Sequence, residues 1–128
     1  MTVELQLLVY AAGLTVLQLL IAVPAAILQV GLPTLAGNRE NLAEITGFAG
    51  RAIRAHRNML ESLVLFAILV LVAHAAGRSN PMTVMGAQLF LGGRVAFAAV
   101  YLAGIPWVRT VAWAASMTGL GLIFLQLI

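Results

Sequence analysis

The sequence predicts an all-α membrane protein, a single domain in which about four helices form a bundle across the lipid bilayer. Hydrophobic residues make up 62% of the 128 residues and charged residues only 9%, too few to cover the polar surface of a soluble domain. The apolar residues also fall into long runs separated by short polar or glycine- and proline-containing segments. Because a spanning helix needs about 20 apolar residues, four spans and their loops account for nearly the whole chain.

The first two predicted spans differ in charge. The first, about residues 5–30, contains no charged side chain, and Pro24 within it predicts a kink that neighbouring helices accommodate. The segment from Pro33 to Gly50 is polar and rich in turn-forming residues, which is typical of a loop. The second span, about residues 50–76, starts with charged residues and continues as an apolar run, so one end of it must face a polar environment.

Turns separate the remaining spans. The segment from Gly77 to Pro81 predicts a turn, because glycine and asparagine tolerate left-handed conformations and proline suits a helix start. The third span, about residues 82–103, carries Arg94 in its interior. Gly104 to Pro106 breaks that helix, and the fourth span covers about residues 107–128.

Arginines set the expected topology. All seven basic residues are arginines, and most of them lie in the first loop, the start of the second span and the third loop: Arg39, Arg51, Arg54, Arg57 and Arg109. Only Arg78 lies at the opposite side. The positive-inside rule therefore predicts that both termini are on the non-cytoplasmic side, and the first apolar run, which no basic segment precedes, is expected to be retained in a bacterial inner membrane.

Composition also excludes several kinds of chemistry. Cysteine is absent, which excludes disulfides, thiolate metal sites and a cysteine nucleophile. The arginines are scattered among apolar runs and do not form a basic patch with interleaved aromatic residues, so no nucleic-acid partner is expected. The expected surroundings are membrane lipids.

The start of the second span concentrates polar side chains on one face. Successive spacings of three, four and three residues, at about 100° per residue, place four of them on one helical stripe: Arg51, Arg54, Asn58 and Glu61. Arg57 borders the stripe and His56 points away from it. Glu61 lies one turn after Arg57, so an ion pair between them is expected to neutralise part of the charge.

Two further arginines are candidates to join that stripe. Charged groups at membrane depth are costly and normally face the bundle interior or a wet cavity, which suggests a shared cavity for Arg94 and Arg109. Tyr101 lies seven residues after Arg94, on the same side of the third helix, although it equally fits an aromatic belt at the interface. Guanidinium groups together with an amide, a carboxylate and a phenol suit a small peptide-like anion that carries carboxylates and an amine.

Each of these residues also has a structural interpretation. Arg51 and Arg54 could snorkel to lipid headgroups. Asn58 and Glu61 could form a polar contact that holds two helices together. Arg94 could form an ion pair with Glu61 instead of binding a ligand.

The polar stripe resembles the signature of the family of membrane-associated proteins in eicosanoid and glutathione metabolism (MAPEG), which includes microsomal glutathione transferases, leukotriene C synthase and the microsomal prostaglandin E synthase. The residues that carry the resemblance read Arg51-x-x-Arg54-Ala55-His56-Arg57-Asn58-x-x-Glu61. The later segments Gly93-Arg94-Val95-Ala96, Tyr101-Leu102 and Arg109-Thr110 resemble the family's third helix and the start of its fourth. The resemblance covers the chain from about Gly50 to Trp113.

The resemblance implies a homotrimer of four-helix subunits that holds glutathione, as co-substrate, between adjacent subunits on the cytoplasmic side. It implies that five residues bind glutathione: Arg54, Arg57, Asn58, Glu61 and Tyr101. Arg51 and Arg94 would be supporting members of the site. Arg109 would be catalytic, because a cation near sulfur favours the thiolate, which is the nucleophile. The family chemistry requires no metal.

The sequence departs from the family pattern at four places. Phe97 stands where relatives often have a hydrogen-bonding side chain, Trp113 is near a position often occupied by tyrosine, and Val64 replaces a proline. Residues 25–35 lack the arginine that completes the glutathione site in characterised eukaryotic members, and Gln29 is the nearest substitute. Two hypotheses therefore compete. The chain is a glutathione-dependent transferase or peroxidase that acts on lipophilic electrophiles in the membrane, or it is a non-catalytic protein, either lipid-binding or an accessory subunit of a larger membrane assembly.

Overall fold

The computed structural model describes residues 1–40 and 44–128 and is built from helices. Four of them are long and apolar enough to cross a membrane, and a fifth is a single short segment: α1 (Val3–Val30), α2 (Leu32–Ala36), α3 (Gly47–Ala75), α4 (Pro81–Ala103) and α5 (Pro106–Leu127). The described residues contain no β-strand. The predicted fold class, an all-α membrane four-helix bundle, is confirmed.

Pro24 lies inside α1, which continues as one helix to Val30. The segment after α1 differs from the prediction in one respect, because the predicted loop begins with the short helix α2. Gly31 has a φ of 87°, a conformation that favours glycine, and it turns the chain between the two helices. Pro33 lies in the first turn of α2, where its missing N–H costs no hydrogen bond.

Local signals explain the ends of α4. The Asn80 side chain accepts hydrogen bonds from the backbone N–H groups of Met82 and Thr83, and the Thr83 hydroxyl accepts one from the Asn80 N–H. This capping box satisfies N–H groups that a helix start leaves unpaired. Gly104 adopts a left-handed conformation with φ of 80° and ends the helix, and Pro106 begins α5 two residues later.

Small residues allow α4 and α5 to approach closely. A Cβ atom added to Gly93 would lie 2.8 Å from the Ala112 carbonyl oxygen, and one added to Gly86 would lie 2.6 Å from the Gly119 carbonyl oxygen. Glycine at these positions therefore lets the two backbones touch, as in many membrane helix pairs. Because this contact fixes α5 on α4, it sets where the start of α5 lies relative to the end of α4.

The interior of the bundle is apolar in its middle. The rings of Phe66 on α3 and Phe90 on α4 stack with centroids 4.1 Å apart, and both are fully buried together with Met59, Val70 and Ile123. Helix α1 packs against α3 and α4. The arginines of α3 lie in its first half, and Arg51 and Arg54 contact Leu102 and Tyr101 near the end of α4.

Candidate functional site

Two arginines from different helices meet at Tyr101. The Arg54 Nε donates a hydrogen bond of 3.1 Å to the Tyr101 hydroxyl, which joins α3 to α4. The Arg109 guanidinium carbon on α5 lies 4.6 Å from the centre of the Tyr101 ring, within the range of a cation–π interaction. Two positive charges are therefore held beside one phenol, an arrangement that attracts an anion.

A groove runs between α3 and α5 next to this cluster. It consists of a cavity of about 240 Å³ and a second of about 170 Å³, which share Asn58 and Trp113 in their walls. The first cavity is further lined by Phe97, Tyr101, Arg109 and Thr110. The second is further lined by Glu61, Ser62, Leu65 and Met117. This α3–α5 groove is thus polar and cationic at one end and more apolar at the other.

Asn58 lies at the junction of the two cavities with unused hydrogen-bonding capacity. Its Oδ1 atom is buried and has no hydrogen-bond partner among the described residues. A buried acceptor without a partner is costly, and a ligand with an N–H or ammonium group in the groove would satisfy it. Asn58 is therefore the side chain in the groove that most clearly requires a bound donor.

Arg51 is used to join helices. Its Nε donates a hydrogen bond of 3.2 Å to the Leu102 carbonyl oxygen, and its side chain lies against Gly104. These contacts hold the start of α3 to the end of α4. Arg51 does not line the groove, and its hydrogen bond joins the two helices that carry Arg54 and Tyr101.

Arg94 is buried beneath the groove wall. Its side chain is 1% exposed, and its guanidinium carbon lies 4.3 Å from the centre of the Phe97 ring. Within the described part of the chain none of its three guanidinium nitrogens has a hydrogen-bond partner. The ion pair with Glu61 that the sequence suggested is therefore not formed, because Glu61 points into the groove while Arg94 stacks on Phe97 behind it.

Arg57 and His56 face a different cavity. Both line a space of about 410 Å³ between α1, α2 and α3, together with Arg39 and apolar side chains. Within one subunit the structure therefore separates Arg57 from Arg54, Asn58 and Tyr101. The expected ion pair between Arg57 and Glu61 is also unsupported, since the two residues line different cavities.

A comparison with known protein families identifies the family to which this chain belongs. The model of the MAPEG family matches residues 7–128, nearly the whole chain. This chain is a member of the MAPEG family. No curated protein sequence matches it. Membership supports a membrane protein of the glutathione-transferase-like or eicosanoid-metabolism type. The groove therefore has to be interpreted as part of a protein of one of these two types.

Gln29, the nearest substitute for the family arginine missing from the end of α1, is already engaged. Its side-chain Nε2 donates to the Thr46 carbonyl oxygen at 2.8 Å, and its Oε1 accepts from the Thr46 N–H at 2.9 Å. The amide thus joins the end of α1 to the start of α3. It is not free to take over the role of an arginine on a ligand.

Six groove residues were not predicted as site residues: Ser62, Leu65, Phe97, Thr110, Trp113 and Met117. Thr110 follows Arg109, and its hydroxyl has only a long 3.5 Å hydrogen bond to the Pro106 carbonyl oxygen. Trp113 lies one turn further along α5, and Met117 one turn beyond that. The spacing of four residues from Arg109 to Trp113 to Met117 places them on one helical face, and this was the available signal in the sequence.

Proposed function

We propose that this MAPEG protein is a glutathione-dependent transferase or peroxidase that acts on lipophilic electrophiles in the membrane. The observation that supports it most directly is the α3–α5 groove, where the Arg54 and Arg109 cations converge on Tyr101 beside the unpaired Asn58 oxygen. Glutathione offers two carboxylates, an amine and amide groups, which complement guanidinium forks, a carboxylate and an amide oxygen.

In this proposal the groove residues divide between binding and catalysis. Arg54 and Tyr101 bind a carboxylate, and Asn58 and Glu61 take the N–H and ammonium groups. Arg109 lies at the start of α5, where its charge favours the thiolate form of the bound thiol. The thiolate then attacks the electrophile, so that a carbon–sulfur bond forms and the leaving group departs with its electron pair.

The lipophilic substrate is proposed to enter at the apolar end of the groove. Leu65 and Met117 line the second cavity, on the side away from the arginines, and neighbouring side chains on the outer face of α3 such as Val64 and Ile68 are exposed. An electrophile dissolved in the bilayer would reach this end past Leu65 and Met117, without passing the arginines. The thiol and the electrophile would therefore meet near Trp113, where the two cavities join.

The proposed assembly is a homotrimer. Glu61 lies near the middle of α3 and is exposed in the single subunit, although a carboxylate facing lipid at that depth is costly. A neighbouring subunit placed against this face would cover the Glu61 carboxylate and leave the groove open to the bilayer at Leu65 and Met117. Native mass spectrometry in mild detergent should show a trimer, and a purely monomeric species would contradict this assembly.

The proposed orientation follows from the arginines. Arg51, Arg54 and Arg109 lie at the end of the bundle where the groove opens, and Arg78 lies at the other end, where it donates to the Leu127 carbonyl oxygen. The positive-inside rule then puts the groove on the cytoplasmic side of a bacterial inner membrane and both termini on the other side. A reporter fused after Ile128 should be active only outside the cytoplasm.

Glutathione binding to the purified protein tests this function. We expect saturable binding by calorimetry that Arg54→Ala weakens and that Arg78→Ala, which removes the same charge at the far end of the bundle, leaves unchanged. Conjugation of glutathione to a hydrophobic chloronitrobenzene in proteoliposomes then measures turnover. Binding without turnover would support the thiol site and contradict the proposed reaction.

A second candidate function is a non-catalytic one, in which the MAPEG bundle serves as a lipid-binding or accessory subunit. Two observations favour it: the Gln29 amide is fully engaged by Thr46, and the groove wall carries the apolar ring of Phe97, which is only 4% exposed. Absence of saturable glutathione binding, in a protein that melts cooperatively and at the same temperature with and without the thiol, would support this candidate and contradict the enzyme.

A further inference from the structure

The more apolar cavity of the α3–α5 groove has room for one aromatic ring. Its volume is about 170 Å³, and an apolar cavity of about 150 Å³ holds a benzene molecule. The Ser62 hydroxyl in its wall is directed to its own helix, where it donates a hydrogen bond of 3.1 Å to the Met59 carbonyl oxygen. Besides the polar residues proposed to hold the thiol, the side chains left for a lipophilic substrate are therefore Leu65, Trp113 and Met117.

Trp113 presents aromatic surface to this cavity. Its side chain lines both cavities of the groove and is 43% exposed. Among the residues that the structure describes, no other aromatic ring stacks on the indole. The indole is thus available to a ligand, and a stacked aromatic pair is more stable than the buried area alone provides.

Met117 supplies a second contact that favours a ring over a chain. It lies four residues after Trp113, one turn further along the same face of α5, and it is half-buried. A thioether sulfur has a favourable contact with the edge of an aromatic ring, which an alkyl chain does not offer. Leu65, on the α3 side of the groove, contacts a ring or a chain equally well, so the discrimination comes from α5.

Trp113 also sets the distance between the ring and the thiol. It lies four residues after Arg109, about 6 Å along the axis of α5, and both side chains line the polar cavity of the groove. A ring that stacks on the indole is therefore about one helical turn from the guanidinium proposed to hold the thiolate. The carbon atoms of the ring itself are then the substrate atoms nearest to the sulfur.

We propose that Trp113 and Met117 select electron-poor aryl halides as the electrophile, an inference that rests on the transferase function proposed above. The face of the indole carries negative charge density, which attracts a ring from which nitro groups withdraw electrons. The thiolate adds to the ring carbon that carries the halogen, and a carbon–sulfur bond forms. The carbon–halogen bond breaks, and the halide departs with its electron pair, so the products are an aryl thioether and a halide ion.

Selectivity in proteoliposomes tests the proposal. Glutathione turnover is measured with chlorodinitrobenzene and with nonenal, an aliphatic electrophile that adds the thiol across its carbon–carbon double bond. Trp113→Leu should lower the ratio of the two kcat/KM values, aryl over aliphatic, about two-fold to ten-fold, the range that corresponds to loss of one aromatic pair. Trp113→Phe keeps a ring and should retain most of the ratio. Trp107→Leu is the matched control, because this tryptophan is 82% exposed and does not line the groove, and it should leave the ratio unchanged.

A binding measurement separates this proposal from the proposed function. Dinitrobenzene lacks the halide leaving group and quenches the fluorescence of an indole that it contacts. The chain has two tryptophans, so Trp107→Phe leaves Trp113 as the only emitter, and its quenching should saturate with dinitrobenzene concentration. Quenching of the Trp113→Phe protein should rise linearly, as expected for collisions within the membrane.

The outcomes of the two measurements are distinct. Saturable quenching without glutathione turnover would contradict the transferase function and support the aryl site. Linear quenching in both proteins would overturn the proposal. A ratio of kcat/KM values that Trp113→Leu leaves unchanged, or that Trp107→Leu lowers equally, would also overturn it.

Discussion

The α3–α5 groove and the cavity between α1, α2 and α3 both carry arginines, but their other lining side chains differ. Arg54 and Arg57 are three residues apart on α3, and yet Arg54 contacts Tyr101 beside the groove while Arg57 lines the cavity on the α1 side. The groove is lined by an amide, a carboxylate and aromatic rings, whereas the cavity is lined mainly by aliphatic side chains. Two arginines that are close together on one helix therefore have different surroundings.

The largest expected effect is at Arg109. Arg109→Ala should lower turnover about ten-fold to a hundred-fold, because a charged hydrogen bond to the reacting sulfur contributes about 1.5–3 kcal/mol. Thiol binding should change little, since Arg54 still holds a carboxylate. Turnover in proteoliposomes and binding by calorimetry check the two parts. Unchanged turnover would remove the catalytic assignment.

The second-largest effect is expected at the contact between α4 and α5. The groove depends on this contact, and the cavity between α1, α2 and α3 does not. A Cβ atom at Gly93 would lie 2.8 Å from both the Ala112 oxygen and the Ser116 nitrogen, so Gly93→Ala should destabilise the protein by about 1–3 kcal/mol and displace Arg109. Gly92→Ala is a matched control, because its Cβ would meet nothing within 4 Å. Thermal unfolding and glutathione binding should both decrease for Gly93→Ala alone. Equal melting temperatures for the two variants would contradict the close contact.

A moderate effect is expected at Arg54. Arg54→Ala should weaken glutathione binding by about ten-fold, corresponding to about 1.4 kcal/mol, because it removes a carboxylate partner and the hydrogen bond that orients Tyr101. Turnover at saturating thiol should be less affected than for Arg109→Ala. Arg78→Ala, which removes the same charge at the other end of the bundle, is the matched control and should leave thiol affinity unchanged. If both variants weakened thiol binding equally, the assignment of Arg54 to the thiol site would be contradicted.

The smallest effect is expected at Gln29. Gln29→Ala removes two hydrogen bonds to the Thr46 backbone, each of which contributes about 0.5–1.5 kcal/mol at most where it is exposed to water. The end of α1 should loosen from α3, with a small decrease in melting temperature. Thiol binding should be unaffected. A large loss of thiol binding would instead indicate that Gln29 substitutes for the family arginine.

Particular residues show how far a single sequence can be interpreted. The spacing from Arg51 to Glu61 correctly suggested a polar face on α3, because helical periodicity is a local property. It did not separate Arg57 from Arg54, since an offset of 60° on one helix becomes a different cavity only when α1 packs on one side and α5 on the other. The Arg94–Glu61 pair was wrong for the same kind of reason: Arg94 stacks on Phe97, a contact made within α4.

The sequence by itself determined that the protein lies in a membrane, which class of fold it adopts and which family it belongs to. Apolar runs of spanning length, their interruption at Gly104 and Pro106, and the arginine pattern of α3 follow from local composition and spacing, and these are properties that do not depend on how helices pack. Only the tertiary structure decided which charges share a site. The close contact of α4 with α5 brought Arg109 to Tyr101, and the packing of α1 and α2 against α3 formed a separate cavity beside Arg57. Such contacts join residues far apart in the chain, and their geometry is set by packing that no local pattern encodes.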